Sequence, residues 1–158
     1  MAFYKKFGAM KGGVSTTQYK DWIMVHSLEF GVGRSISSAA GSGANRQGSH
    51  ASVSEVTIAK HLDPASLDLF GHALTGKLDV KVEFAFTIAN DKNDEYLHIT
   101  LTDTGVSGYS LSSGGDRPSE SVSLNFAKIE YKEITLDDKG GAAKPQTKIY
   151  DLMTHKLS

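Results

Sequence analysis

The chain has 158 residues, 39% of them hydrophobic, which is enough for one core and indicates a single domain over residues 1–158. The formal net charge is −1 without any long basic run, which argues against nucleic acid or an anionic membrane as a partner. The chain contains no cysteine, so disulfides, thiolate metal sites and cysteine nucleophiles are excluded. No apolar segment resembles a signal peptide or a membrane span, so we expect no membrane insertion, and any export should need no cleaved signal.

The first third of the chain predicts several strands. Residues 3–7 and 53–59 are short apolar stretches of strand character. In residues 22–30, one face carries four apolar side chains, Trp22, Met24, Leu28 and Phe30. Ile23 and Val25 on the other face indicate that the first half of this strand is covered on both sides. Glu29 has the opposite parity to its two neighbours, so its side chain is expected to leave the core.

Residues 31–52 form a long connection between two of these strands. The segment is rich in Gly, Ser and Ala, which offer little apolar area against the entropy of ordering them. A structureless connection of about twenty residues is uncommon inside a compact domain and is typical of a binding loop or of disorder. We therefore expect contacts outside this chain's own core to order it, which favours assembly over a pocket enzyme.

Residues 64–75 predict an α-helix. Asp63 is a suitable N-cap, Pro64 suits the first helical position, and Gly76 suits the position after the last turn. Three large apolar residues fall at helical spacing, Leu67, Phe70 and Leu74. This face is expected to pack on the core.

The second half of the chain alternates apolar and polar residues with the period of strands. Residues 78–88 and 97–102 predict a hairpin, residues 106–111 a weaker strand, and residues 149–152 a short last strand. Within residues 121–134 the apolar parity changes near position 127, which is typical of a bulge or of a bend at a barrel corner. The fold predicted is mainly β, an antiparallel β-barrel of about eight strands with one short helix and a long Ser/Gly-rich loop.

No motif for catalysis or for cofactor binding emerges from the sequence. Two isolated G-x-G pairs, at positions 31–33 and 41–43, lack the third glycine and the following helix that a phosphate site needs. The serines of residues 107–113 lack a nucleophile elbow, and the six histidines lack the spacing of a metal site. We expect no enzyme activity, no metal and no cofactor.

Several segments, in order along nearly the whole chain, resemble the haemolysin-coregulated protein (Hcp) family, the tube protein of bacterial type VI secretion. The longest are YKDWIMV at 19–25, VTIAKHLD at 56–63 and ESVSLNFAKIEY at 120–131. Shorter matching pieces are residues 1–3, 10–12, 28–31, 75–77, 106–110, 112–115 and 150–152.

The resemblance implies a structural subunit that forms hexameric rings, which stack into a tube that delivers effectors into target cells. The implied partners are further copies of the chain, a spike protein of the VgrG type, a contractile sheath and effectors carried in the ring lumen. The implied location is the bacterial cytoplasm, followed by secretion without a cleaved signal peptide.

Two site assignments follow from the resemblance. The loop around residues 33–50 corresponds to the family's extended loop and should carry ring-stacking contacts. The polar side chains assigned to these contacts are Arg34, Ser35, Ser37, Ser38, Asn45, Arg46, Gln47 and His50. Glu29, which is expected to leave the core, would face the lumen.

Two other classes stay open. A monomeric β-barrel could bind a small ligand with the Ser/Gly loop as its lid. A hydrolase would need His and Ser residues that lie apart in the sequence. Enzymatic members of the family carry their activity on an appended C-terminal domain, for which a chain ending at Ser158 is expected to leave no room.

Overall fold

The computed structural model describes residues 2–37, 47–90, 92, 94–134 and 144–158. Within these residues the chain forms fourteen strands, one 3-10 turn and one α-helix, which confirms the mainly β class. In chain order the elements are β1 (Ala2–Phe7), the 3-10 turn (Thr17–Tyr19), β2 (Ile23–Val25), β3 (Ser27–Glu29), β4 (Val32–Gly33), β5 (Ile36–Ser37), β6 (Gln47–Gly48), β7 (Ser52–Val53), β8 (Val56–His61), α1 (Ser66–Thr75), β9 (Val80–Thr87), β10 (Glu95–Ser112), β11 (Ser119–Asn125), β12 (Lys128–Glu133), β13 (Gln146–Asp151) and β14 (Lys156–Leu157).

The longest strand, β10, organises the sheets because its two halves have different partners. Its first half lies between β9 and β12, and its second half pairs with β11, in each case antiparallel. Asp103 near the middle has a φ of 51°, and the ladder with β9 changes register between Leu101 and Thr104. The predicted break between residues 97–102 and 106–111 is therefore wrong, because the chain continues there as one irregular strand.

The parity change predicted within residues 121–134 is confirmed. β11 ends at Asn125 and β12 begins at Lys128, while Phe126 and Ile129 are both buried. β11 pairs onward with β8, whereas β12 pairs onward with β13. The interruption at residues 126–127 is thus the point where the sheet branches.

The ladders run from β2 through β1, β9, β10, β11 and β8 to β3, and β12, β13 and β14 form a branch beside β10. β2 and β3 are separated by His26, whose N–H donates to Ala59 O at 2.8 Å. The predicted mainly β, antiparallel class is thus confirmed, although strand pairing does not close the predicted barrel completely. In β2 Ile23 and Val25 are buried, as predicted, whereas Met24 of the predicted apolar face is exposed.

The core is built from alternate residues of these strands. Val56 and Ile58 of β8 lie directly opposite Leu124 and Val122 of β11, and all four side chains are buried. Removing such an aliphatic side chain from water contributes about 1.5–3 kcal/mol. These cross-strand pairs fix the register of β8 against β11, because a shift by one residue would turn every side chain to the opposite face.

α1 packs on the core through a different face from the one predicted. It begins at Ser66, and Asp63 Oδ1 accepts a hydrogen bond from the Ala65 N–H at 3.0 Å, in the turn before the helix. Ala65 and Leu69 are fully buried, and Ala73 packs against the core. The three large residues of the predicted face are exposed, Leu67 to 78%, Phe70 to 47% and Leu74 to 67%. The core-facing residues Ala65, Leu69 and Ala73 are spaced four positions apart, and the small side chains of the two alanines allow the helix to lie close to the sheet.

Candidate functional site

The long loop between β3 and β8 is a paired ribbon in the arms that the structure describes. β4 pairs with β7 through Val32 and Val53, and β5 pairs with β6 through Ile36 and Gly48. The expectation of a structureless connection is therefore wrong for these arms. Short ladders satisfy backbone N–H and C=O groups even where the side chains bury little area. Because Val32 and Ile36 are exposed, this ribbon presents apolar as well as polar side chains to its surroundings.

Serine side chains join the two arms of the ribbon. The Ser49 N–H donates to Ser35 O at 2.9 Å, and the Ser35 N–H donates to Ser49 Oγ at 3.1 Å. At the base of the ribbon, the Gly31 N–H donates to Ser54 Oγ and the Ser54 N–H donates to Gly31 O, both at 2.8 Å. Two serines thus replace backbone partners, which is a frequent use of short hydroxyl side chains in turns.

The predicted stacking residues lie along this ribbon. Arg34, Ser35, Ser37 and His50 are exposed, and Gln47 lies in β6. The Arg34 side chain lies beside Gly48, where a Cβ would stand 3.3 Å from Arg34 Nε. The remaining three predicted residues, Ser38, Asn45 and Arg46, lie outside the described residues.

The ribbon also contacts the C-terminal hairpin of β13 and β14. The rings of His50 and His155 are stacked with centroids 4.4 Å apart and planes 20° apart. His155 lies in the turn of the hairpin with a φ of 55°, and its Nδ1 is 3.4 Å from the Tyr150 hydroxyl. Local sequence patterns could not indicate this contact, because the two histidines are more than a hundred residues apart in the sequence.

Glu29 lies on the outward side of β3, opposite Thr57 of β8, and is exposed. It borders a concavity of about 500 Å³ that also includes Phe30, Ser54 and Glu55. Glu55 Oε2 accepts a hydrogen bond from Ser107 Oγ at 2.5 Å. The concavity therefore presents two carboxylates, of which sequence analysis identified only Glu29.

A buried ionic group, here the Lys60 cluster, lies between β8, β11 and the start of α1. Lys60 Nζ donates to the carboxylate of Glu120, its direct cross-strand neighbour, to Ser66 Oγ at 3.0 Å and to Asp63 Oδ1 at 3.0 Å. The Tyr109 hydroxyl donates to the other carboxylate oxygen of Glu120. Burial by itself would raise the pKa of Glu120, but the hydrogen bonds from Lys60, Tyr109 and Ser66 outweigh it and lower that pKa. Burial, together with the bond to Glu120, raises the pKa of Tyr109 to about 12.

A second lysine is buried near this cluster. Lys5 of β1 is fully buried, and its Nζ lies 4.9 Å from the centroid of the Phe7 ring. Lys5 Nζ has no hydrogen-bond partner among the described residues. Burial and the positive charge of Lys60 lower the pKa of Lys5 to about 7, against the smaller opposing effect of Asp63. A cation held in this way opposes folding while it stays protonated.

A third ionic group, here the His98 cluster, lies where water reaches it. His98 Nδ1 is 2.5 Å from Glu95 Oε1, and His98 Nε2 is 3.4 Å from Glu83 Oε1. The Tyr19 hydroxyl donates to Glu95 Oε2 at 3.2 Å, which attaches the 3-10 turn to β10. The hydrogen bond to Glu95 is the main reason why the pKa of His98 is raised, and burial opposes it. Burial, followed by the charge of Glu95, raises the pKa of Tyr19 well above its ordinary value.

A cavity of about 580 Å³ lies between α1 and the turn after β1. It is lined by residues 7–10, 67–68, 71–72, 75–76 and Val80, and so by no residue of the ribbon arms. A loop acting as a lid over a ligand, the monomeric alternative, has no support from this cavity. Over the described ranges, no three His, Cys, Asp or Glu side chains are grouped to hold a metal ion. No helix in the described part of the chain is both long and apolar enough to cross a membrane.

The fold is that of solved type VI secretion proteins. One described as a type six secretion system protein superposes with a TM-score of 0.90 at 22% identity, and the match covers 99% of each chain. Hcp1 of Salmonella typhimurium matches with a TM-score of 0.77 at 24% identity over 100% of both chains. A type VI secretion system effector of Yersinia pestis gives 0.74 at 24% identity, covering 94% of this chain and 98% of the other. No curated protein sequence matches the chain.

Comparison of the sequence with known families identifies the family of this chain. The family described as "Type VI secretion system effector, Hcp" matches residues 4–132, which is most of the chain. The match spans β1 to β12 and includes the ribbon, the helix and the residues of all three ionic groups. The chain therefore belongs to the Hcp family, and the resemblance found in the sequence is confirmed.

Proposed function

We propose that this protein is the tube subunit of a type VI secretion system, with a structural rather than a catalytic role. Six copies form a ring, rings stack into a tube, and effectors travel in the lumen from the bacterial cytoplasm into target cells. The partners in this role are further copies of the chain, a spike protein of the VgrG type, a contractile sheath and the effectors. Secretion in this role needs no cleaved signal peptide.

The family match over residues 4–132 is the observation on which this proposal rests. The exposed ribbon supports it further, because a β-ribbon carrying Val32, Ile36 and Arg34 on its surface offers both apolar contact and directional hydrogen bonds. A head-to-tail contact between identical copies generates either a closed ring or an open filament. The mass of the native particle distinguishes a closed ring from a filament and from a single chain.

The ribbon is proposed to carry the contact between stacked rings. Deleting residues 38–44 should leave the sheets and the ring intact and should abolish tubes, because the arms are joined by their own ladders below that point. Arg34→Ala should shorten the tubes, whereas Lys20→Ala, an exposed cation outside the ribbon, should not. Electron microscopy of the purified particles measures tube length. Tubes of unchanged length after the deletion would overturn the stacking role.

The concavity beside Glu29 is proposed to face the lumen. Glu29→Arg should leave the ring mass unchanged but reduce the amount of effector that is purified with the ring, because it reverses a charge beside Glu55. Glu133→Arg, an exposed carboxylate on β12, is the matched control. Equal effector retention in both variants would remove the lumenal assignment of Glu29.

A further inference from the structure

α1 carries an apolar face that the described part of the chain covers only at Phe70, whose ring contacts Tyr109 edge-on with centroids 5.7 Å apart. Leu67, Phe70 and Leu74 lie three and four residues apart and so form one stripe along the helix. Leu67 is 78% exposed, although burying such a side chain gains about 1.5–3 kcal/mol. Exposed apolar stripes of this kind mark protein–protein contacts.

Beside the stripe lies a groove of about 370 Å³ with an almost wholly apolar surface. The groove is lined by Leu62, Ser66, Leu67, Phe70, Tyr109 and Leu111. Its two polar side chains are already engaged, because Ser66 Oγ donates to Glu120 at 2.8 Å and the Tyr109 hydroxyl donates to the same carboxylate. The groove therefore offers carbon surface to an occupant and needs no hydrogen bond from it.

The C-terminal hairpin of the same chain presents a matching apolar projection. Met153 at its turn is 78% exposed, and Leu157 on β14 is also exposed. The turn is held in shape, because Asp151 Oδ1 accepts hydrogen bonds from the Met153 N–H at 2.9 Å and from the Thr154 N–H at 3.2 Å. A flexible, unbranched methionine on a fixed turn is well suited to fill an irregular apolar groove.

The two surfaces are complementary in charge. The helix and its flanks, residues 62–80, carry two exposed acidic residues, Asp68 and Asp79, against one exposed basic residue, Lys77, while Asp63 is already paired with Lys60. The C-terminal segment, residues 144–158, carries three lysines, Lys144, Lys148 and Lys156, against one acidic residue, Asp151. Opposite net charges favour the meeting of these two surfaces over the meeting of either surface with itself.

We infer that the β13–β14 hairpin of one copy docks on the apolar face of α1 of a second copy, with Met153 in the groove beside Leu67. The contact joins two different surfaces, so it is heterologous and can repeat from copy to copy. The inference rests on the proposed self-assembly and adds to it the pair of surfaces in contact.

The absence of cysteine from the chain permits a direct test. The variants Leu67→Cys and Met153→Cys change two highly exposed side chains, so both should fold. Each variant is oxidised alone and as an equal mixture, and products are separated without reducing agent. The mixture should yield disulfide-linked dimers, since two cysteines at a contact react at about tenfold or greater advantage over freely diffusing ones. A chain carrying both changes should yield a ladder of linked oligomers.

The control is a mixture of Leu67→Cys with Lys20→Cys, an exposed position far along the sequence from the hairpin. Native mass is measured before oxidation. Oligomers of normal mass with no more linkage in the test mixture than in the control would overturn this inference and leave the proposed ring intact. Particles of single-chain mass would overturn both. Disulfide-linked dimers in each single variant alone would also contradict the inference, because they would indicate that α1 contacts α1 and that the hairpin contacts the hairpin.

As a second measurement, Leu67→Asp should lower the native mass, whereas Leu78→Asp, similarly exposed but outside the groove, should not. Loss of fold is distinguished by the far-ultraviolet spectrum of each variant. An unchanged native mass in Leu67→Asp would contradict the docking.

Discussion

The Lys60 cluster and the His98 cluster both join acids to bases on neighbouring strands, but water reaches them to different extents. Lys60 and Glu120 are completely buried, whereas the side chains of His98 and Glu95 are 19% and 24% exposed. Removing one partner of a buried pair leaves the other charge buried with fewer partners, whereas a partly exposed partner regains water. The buried Lys60 cluster therefore helps to fix the register of β8 against β11, whereas the partly exposed His98 cluster attaches the 3-10 turn at the surface to β10.

The largest expected effect comes from breaking the buried pair. Glu120→Gln removes the carboxylate that accepts from Lys60, Ser66 and Tyr109, and should cost about 3–5 kcal/mol in the free energy of unfolding. Urea unfolding measures this free energy. Glu133→Gln, an exposed carboxylate on β12, should stay within about 0.5 kcal/mol of the parent. A loss below about 1 kcal/mol for Glu120→Gln would contradict the account of the cluster.

A smaller effect of opposite sign is expected at Lys5. The pKa of Lys5 is lowered from 10.5 to about 7 on folding, so the unfolded state binds more protons between these values and stability rises with pH there. Lys5→Met should therefore stabilise the fold most at about pH 6, and the gain should shrink towards pH 10. Because a tenfold change in proton affinity corresponds to about 1.4 kcal/mol, a gain of a few kcal/mol is expected at low pH.

The control for Lys5→Met is Lys6→Met, the exposed neighbour on the same strand. Urea unfolding at several pH values measures both variants. If Lys5→Met destabilised the protein equally at every pH, the buried cation would not be the cause of the opposing free energy.

The smallest effect is expected in the His98 cluster. Because the pKa of His98 is raised on folding, its stabilisation is fully present below about pH 6.5 and is lost as pH rises through the folded value. His98→Gln should cost up to about 1 kcal/mol at pH 5.5 and nothing measurable at pH 9. Lys81→Met, which breaks a more exposed pair with Glu83, should show no such pH dependence. A pH-independent loss in His98→Gln would contradict the charged contact.

Sequence periodicity was sufficient for the strands whose two faces differ clearly. Residues 78–88 alternate strictly, and β9 occupies residues 80–87 with Val82 and Phe84 buried. It was not sufficient where a chain bends. Asp103 gives β10 its irregular middle by adopting a positive φ, and no local pattern distinguishes that from a turn.

The helix shows a different limit. Its larger apolar residues, Leu67, Phe70 and Leu74, suggested a core face, but the helix packs by Ala65, Leu69 and Ala73. Amphipathic patterning indicates that a face will be covered, and it leaves open whether the chain itself or a second copy covers it. The error therefore marks the surface on which docking is proposed.

The candidate site was predicted only in part for a similar reason. The ribbon was located by its length and composition, whereas the contact between His50 and His155 joins distant segments and has no local signature. Family resemblance, rather than spacing, assigned the polar residues of the ribbon and Glu29 to their proposed roles. Lys5 escaped prediction because a lysine on a strand is ordinarily exposed.

The native mass of the purified protein, determined by light scattering over a range of concentrations, tests self-assembly most directly. The account predicts a particle of six times the 17.0 kDa chain mass. A particle that keeps the mass of one chain at the highest concentration, and also in the presence of sheath and spike proteins, would contradict it and would favour a monomeric binding module.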